Sequence, residues 1–361
     1  MKKSVLFFML ISGLSFSQKN LKIADLQPKT EDSTFPVISF AENPLVETKI
    51  NTFLQVNELE YVPHSGTNPF KLVSTGTTSY SNYVYFYSWE KLETPKNILS
   101  IGMDGEASGA YPENFSVWKN FDLRTGNFIN AQDLFQASSV KVIEKLLEQK
   151  VKKRVNDFLT QLKSEKNPSE ETQDQIAIYE GCFTEQSLDN IQYFFGKDKL
   201  TFVAGRCSNH AMRALDDLGS HELEFTYKEL EKYWSPYAKN LLSGSDNIGR
   251  TSFRNKLYKG KIDGKYSITV LVSRFYPADD SSGTSSFNAE YWYDKNKKLI
   301  KWNGQMKGNH ISITENDHYD DVTSQWIPRA FVEAEMKGNK ISGTWQDDKT
   351  KKNLSIELEE L

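Results

Sequence analysis

Cysteine, surplus charge of one sign and long apolar runs are all scarce in this chain of 361 residues. A formal net charge of −4 argues against a nucleic-acid partner, which would want a basic face. No apolar run reaches the ~20 residues a membrane-crossing helix needs, so a stable membrane span is not expected. Gly102, Gly105 and Gly109 do not have a phosphate-cradling spacing and open no helix, which removes the nucleotide reading. Neither G-x-S-x-G nor H-E-x-x-H occurs, and no cofactor signature or nucleophile–base set replaces them.

The N-terminus has a processing pattern. Lys2 and Lys3 precede a short apolar run from Val5 to Ile11, and Ser15 and Ser17 stand at −3 and −1 of a cut before Gln18. A membrane anchor competes with this reading and is too short for it. No Cys follows the apolar run, so a lipid-modified start is not expected. The expectation is export, to the periplasm or beyond the cell. In such an oxidising compartment the only two cysteines, Cys182 and Cys207, read first as a disulfide. Closing that loop adds roughly 3 kcal/mol by restricting the unfolded chain. The alternative groups Cys182, Cys207, His210 and His221 as a metal site, although no second paired ligand supports Cys207-x-x-His210.

Charged residues at 25% and hydrophobic ones at 38% fit a globular chain, and 17 Tyr, 22 Phe and 7 Trp suit sheet-rich structure. Residues 18–34 read as a polar, mobile lead-in and 35–242 as an α+β domain with an antiparallel sheet and one long helix. Residues 243–256 are a linker, and 257–361 an all-β meander or small barrel. In the first domain Asn43 caps a helix whose apolar face is Leu45, Ile50, Phe53 and Leu54. Tyr83, Tyr85, Tyr87 and Trp89 share one face of a strand, read as packed sheet. Phe115 to Asp122 is another strand, turned at Gly126, and Asn130 with Asp133 caps the helical entry after it. Ile143, Leu147, Val151, Val155, Phe158 and Leu162 stripe a helix from about Ser138 to Lys163. Lys166 to Gln175 reads as a loop, Ile191 to Ala204 as a hairpin, and Glu229 to Leu242 as a closing helix.

From Leu257 short alternating strands with Gly, Asn and Asp turns take over. Met306-Lys-Gly-Asn-His-Ile-Ser312 recurs as Met336-Lys-Gly-Asn-Lys-Ile-Ser342, and Gly260 to Gly264 is a looser copy. About eight strands in series predict a barrel or strongly curled sheet, either filled by its own side chains or enclosing a ligand. Trp292, Trp302, Trp326 and Trp345 are candidates to line such a cavity, with interior packing as the other reading. Asp279-Asp280, Asp320-Asp321 and Asp347-Asp348 read as solvated turns. Ser138-x-x-Lys141 and Ser245-Asp246-Asn247 partly match penicillin-recognising enzymes, but Lys349-Thr350 is followed by Lys351 where Gly is needed.

Gly109-Ala-Tyr-Pro112, Asn120-Phe-Asp-Leu-Arg-Thr-Gly126 and Asp133-Leu-Phe135 carry a family likeness. Residues 30 to 242 resemble the extracytoplasmic domain found in the anti-sigma factor RsiV and beside the catalytic domain of the peptidoglycan deacetylase PdaC. Tyr111 replaces the family's His, and the segment holding Cys207, His210 and Arg213 departs from its pattern. The resemblance implies a fold and an envelope setting, with lysozyme a ligand of one member. Neither the sigma-binding part nor the deacetylase domain of those proteins is expected in these 361 residues. We therefore expect a non-catalytic binding protein for a protein or cell-wall ligand, with Tyr111 and Trp118 as its candidate contacts. A lipocalin-like carrier of a small apolar ligand is the second reading, and a cell-wall hydrolase the third.

Overall fold

The structure is a computed structural model that describes residues 20–28, 34–66, 68–70, 83–108, 112–249, 251–278 and 283–361. The expected signal segment and Tyr111 lie outside these residues, as do the side chains of Tyr83 and Tyr85.

The N-terminal part is α+β. Part of the expected mobile lead-in is a strand, β1 (Lys22–Asp25), held by antiparallel pairing with β2 (Pro36–Ser39), and this two-stranded sheet leads into helix α1 (Pro44–Leu59). Asn43 caps α1 by accepting from the Val46 amide at 3.3 Å, with Pro44 in the first turn, where its missing N–H costs nothing. Val46, Ile50, Phe53 and Leu54 are buried, whereas Leu45 is half exposed, so the apolar face is rotated by one residue from expectation. This face covers a three-stranded antiparallel sheet of β3 (Tyr83–Lys91), β4 (Ile98–Ser108) and β5 (Pro112–Asp122).

Helix α2 (Val140–Lys163) follows, burying Ile143, Leu147, Val151, Val155 and Leu162. The expected loop after it is instead partly helix α3 (Glu170–Glu180), started by the Ser169 hydroxyl accepting from the Thr172 amide. A second antiparallel sheet, β6 (Gln192–Phe195), β7 (Lys199–Ala204) and β8 (His221–Thr226), closes the α2 core. The expected closing helix is two short ones, α4 (Tyr227–Leu230) and α5 (Pro236–Leu242), because Pro236 cannot continue a helix begun earlier and starts a new one.

The C-terminal part is a closed antiparallel barrel of eight strands. These are β9 (Lys256–Ile262), β10 (Tyr266–Tyr276), β11 (Ser285–Tyr293), β12 (Ile300–Lys307), β13 (His310–Asp320), β14 (Gln325–Lys337), β15 (Lys340–Asp347) and β16 (Asn353–Glu360). Pairing of β16 with β9 from Ile356↔Ile262 to Glu360↔Tyr258 removes the open edges. The repeated Lys-Gly-Asn segments are the β12–β13 and β14–β15 turns, where Gly308 and Gly338 take positive φ.

Several contacts join the halves. Leu257, Leu271 and Trp292 on the outer barrel wall pack into the core beneath α1. Asn130 and Asp133, expected to cap a helix, clamp the linker: the Asp133 carboxylate accepts from the Ser252 amide at 3.1 Å and its hydroxyl at 2.9 Å. Arg124 pairs with Asp122 at 2.6 Å and donates to the carbonyls of Ser245 and Asn247.

Candidate functional site

The tryptophans expected around a barrel cavity do not share one. Trp302 and Trp345 point inward and are buried in side-chain packing. Trp292 faces outward into the α1 core, and Trp326 is 61% exposed. Phe253 from the linker packs against Phe287 and Tyr258, alongside Val270, Val272 and Ile313. The space left among them is about 20 Å³, room for one water and far below the ~300 Å³ of a small-molecule pocket. The barrel interior itself therefore has no room for the small apolar ligand of the carrier reading.

The wide concavity lies in the N-terminal part. Trp118 on β5 and Phe194 on β6 stack with ring centroids 5.2 Å apart where the edges of the two three-stranded sheets meet. The Gln192 side chain accepts from the Trp118 amide at 3.3 Å, and Asn120 donates to the Tyr193 carbonyl at 2.7 Å. Asn120 is itself fixed by the Ser100 hydroxyl at 2.5 Å. Side chains therefore bridge the two edges without a continuous backbone ladder.

That bridging ends at Trp118. In an antiparallel strand, alternate residues direct both backbone groups to the same edge. Trp118 sends its amide toward Gln192, and Asn120 and Asp122 bond on the same side to Ile129 and Asn127. Asn114 and Ser116 have the same parity and line an open groove of about 1250 Å³. Val203, Arg206 and Arg213 form its far wall, and Phe183, 76% exposed, stands at its rim.

The far wall is organised by two devices. The Cys182–Cys207 disulfide ties the segment after β7 to the end of α3. Asp216 accepts from the Tyr179 hydroxyl and the Ser208 amide, each at 2.8 Å, and from the Gly219 amide at 3.0 Å. Burial pushes the Asp216 carboxyl up, but the bonds from Ser208, Tyr179 and Gly219 outweigh it and hold the carboxyl below its usual range. Wholly buried His221 places Nε2 3.7 Å from Cys207 Sγ, and burial, aided by the Arg154 charge, lowers its pKa. The expected disulfide is present; of the alternative Cys–His grouping only His221 stands beside it, without His210, and both sulfurs are spent on each other.

No family model matches the chain, and no curated protein matches it. The solved structures similar to it include two from the DUF3298 family. A member of the DUF3298 family from Bacteroides fragilis shares 15% identity and a TM-score of 0.38, over 62% of this chain and 94% of its own. A DUF3298 family protein from Pseudomonas aeruginosa PAO1 shares 11% identity and a TM-score of 0.39, over 64% and 97%.

The motif residues suggestive of penicillin-recognising enzymes have other employment. Lys141 pairs with Glu144 at 3.0 Å, and the Ser245 and Asn247 carbonyls accept from Arg124. Gln192, Asn114 and Ser116 do not stand out in the sequence. Their only signal is the alternation of Asn114 and Ser116 with apolar Phe115 and Val117.

Proposed function

We propose that this chain is an exported, non-catalytic binding protein whose groove beside β5 holds an extended peptide segment of a protein or cell-wall ligand. The observation that carries this reading is the open edge at Asn114 and Ser116, directed into a groove with an aromatic end at Trp118. An extended chain is the ligand whose own alternating N–H and C=O groups complement such an edge. Trp118 offers a flat face to an apolar side chain or sugar ring, and the exposed Arg213 suits a carboxylate. The disulfide and the export pattern together support an envelope setting. No helix among the described residues is long and apolar enough to cross a membrane.

Lysozyme and peptide-bearing muropeptides are the ligands to try first. Titration calorimetry of the mature protein is expected to give saturable binding to one of them. Trp118→Ala and Arg213→Ala should each weaken it by about tenfold or more. Absence of binding to both classes, or binding indifferent to both substitutions, would remove the reading.

A further inference from the structure

The hairpin of β13 and β14 outgrows the barrel. Pairing with β12 stops at Glu315 and pairing with β15 stops at Ala330, so residues 316–328 project as a two-stranded ribbon with neither neighbour. Register shifts around Asn316 mark where it leaves the wall. Among the described residues, the hydrogen bonds and ring contacts of this ribbon stay within it.

Its surface is apolar in an unusual place. Tyr319 and Trp326 face each other across the strands with centroids 5.4 Å apart, yet they are 44% and 61% exposed, and Val322 at the tip is 93% exposed. The Tyr–Trp pair stabilises a hairpin, but closure of the barrel does not need these residues. Asp317, Asp320 and Asp321 lie within two residues of Tyr319, and residues 316–328 contain no Lys or Arg.

We propose that this ribbon is a docking surface for a basic protein segment, whose Lys or Arg side chains lie over Trp326 and Tyr319 and pair with the flanking carboxylates. Aromatic faces attract cations, and Asp317, Asp320 and Asp321, faced within the ribbon by a single titratable base, His318 at 3.2 Å from Asp317, strengthen that preference. The same charges repel an anionic lipid surface, which separates this ribbon from a membrane-inserting aromatic tip.

The test uses the full mature chain with a short Arg/Lys-rich peptide as probe, read by fluorescence polarisation. Saturable binding is expected, weakened about tenfold both by Tyr319→Ala with Trp326→Ala and by Asp317→Asn with Asp321→Asn. Glu335→Gln with Glu357→Gln makes the same charge change on exposed barrel-wall positions and should leave affinity unchanged. The melting temperature of each variant shows whether the barrel is intact. Lack of binding, equal weakening by the wall variant, or preference for vesicles containing phosphatidylglycerol over the peptide would each overturn the proposal.

Discussion

The Tyr291 hydroxyl donates to the Glu315 carboxylate at 2.8 Å in the closed interior of the barrel. The indole N–H groups of Trp302 and Trp345 reach the same oxygen at 3.2 and 3.5 Å, and Arg329 approaches the other at 3.4 Å. Burial, and then the Glu315 charge, push the Tyr291 phenol far above its ordinary pKa, so it stays a donor. One carboxylate thereby orients side chains from four strands.

A double-mutant cycle measures that relationship. Tyr291→Phe and Glu315→Gln are each expected to destabilise by about 1–3 kcal/mol in urea unfolding, with a coupling of at least about 1 kcal/mol. Additive effects would mean that the carboxylate does not organise the aromatic cluster.

Gly304 sits beneath Phe287. A Cβ built there would stand 2.1 Å from the ring's Cζ, just as one on Gly260 would collide with the Glu357 carbonyl. Gly304→Ala should therefore cost about 1–3 kcal/mol through overpacking. Gly308→Ala, in an open turn, costs only the strain of its positive φ. Comparison of the two melting temperatures checks the order.

Replacing Cys182 and Cys207 together by Ser is expected to lower stability by roughly 3 kcal/mol. The loss should fall on the groove wall, where amide exchange at Ser208 and Gly219 should quicken while the barrel amides hold. Uniform quickening across both halves would contradict a local role for the bridge.

Lys49 is buried beside Gly126 and donates to the Leu361 carbonyl. Burial lowers its pKa to about 8, with the Lys256 charge adding to this and Glu360 and Asp122 opposing. Between pH 8 and its unfolded value of 10.5 the unfolded chain binds more protons, so this residue makes stability rise with pH. The gain is complete above 10.5 and lost as pH falls through 8. Relative to Lys49→Met, the native protein should gain stability across that window. A flat or falling difference would refute the assignment.

The barrel is legible in the sequence because its signals are local: two Lys-Gly-Asn turns and strict alternation name the strands. Alternation tells that Tyr291 and Trp292 point opposite ways without telling which points in. Both wall faces are apolar there, since α1 covers the outer one. Helix α3 reads as a loop because only Ile178 and Tyr179 give its buried side an apolar signal amid Thr172 and Gln175. The groove is illegible for a different reason. It draws Ser116, Gln192, Val203 and Arg213 from separate segments, and only the meeting of two sheet edges brings them together. Trp118 is a candidate from sequence, but nothing in its neighbours reveals the open edge beside it.

Amide hydrogen exchange at Asn114 and Ser116, with and without the ligand found by calorimetry, tests the central claim most directly. The open-edge account predicts fast exchange in the free protein and marked slowing at both amides once an extended segment pairs with them. Binding that leaves both amides exchanging at the free rate would contradict it.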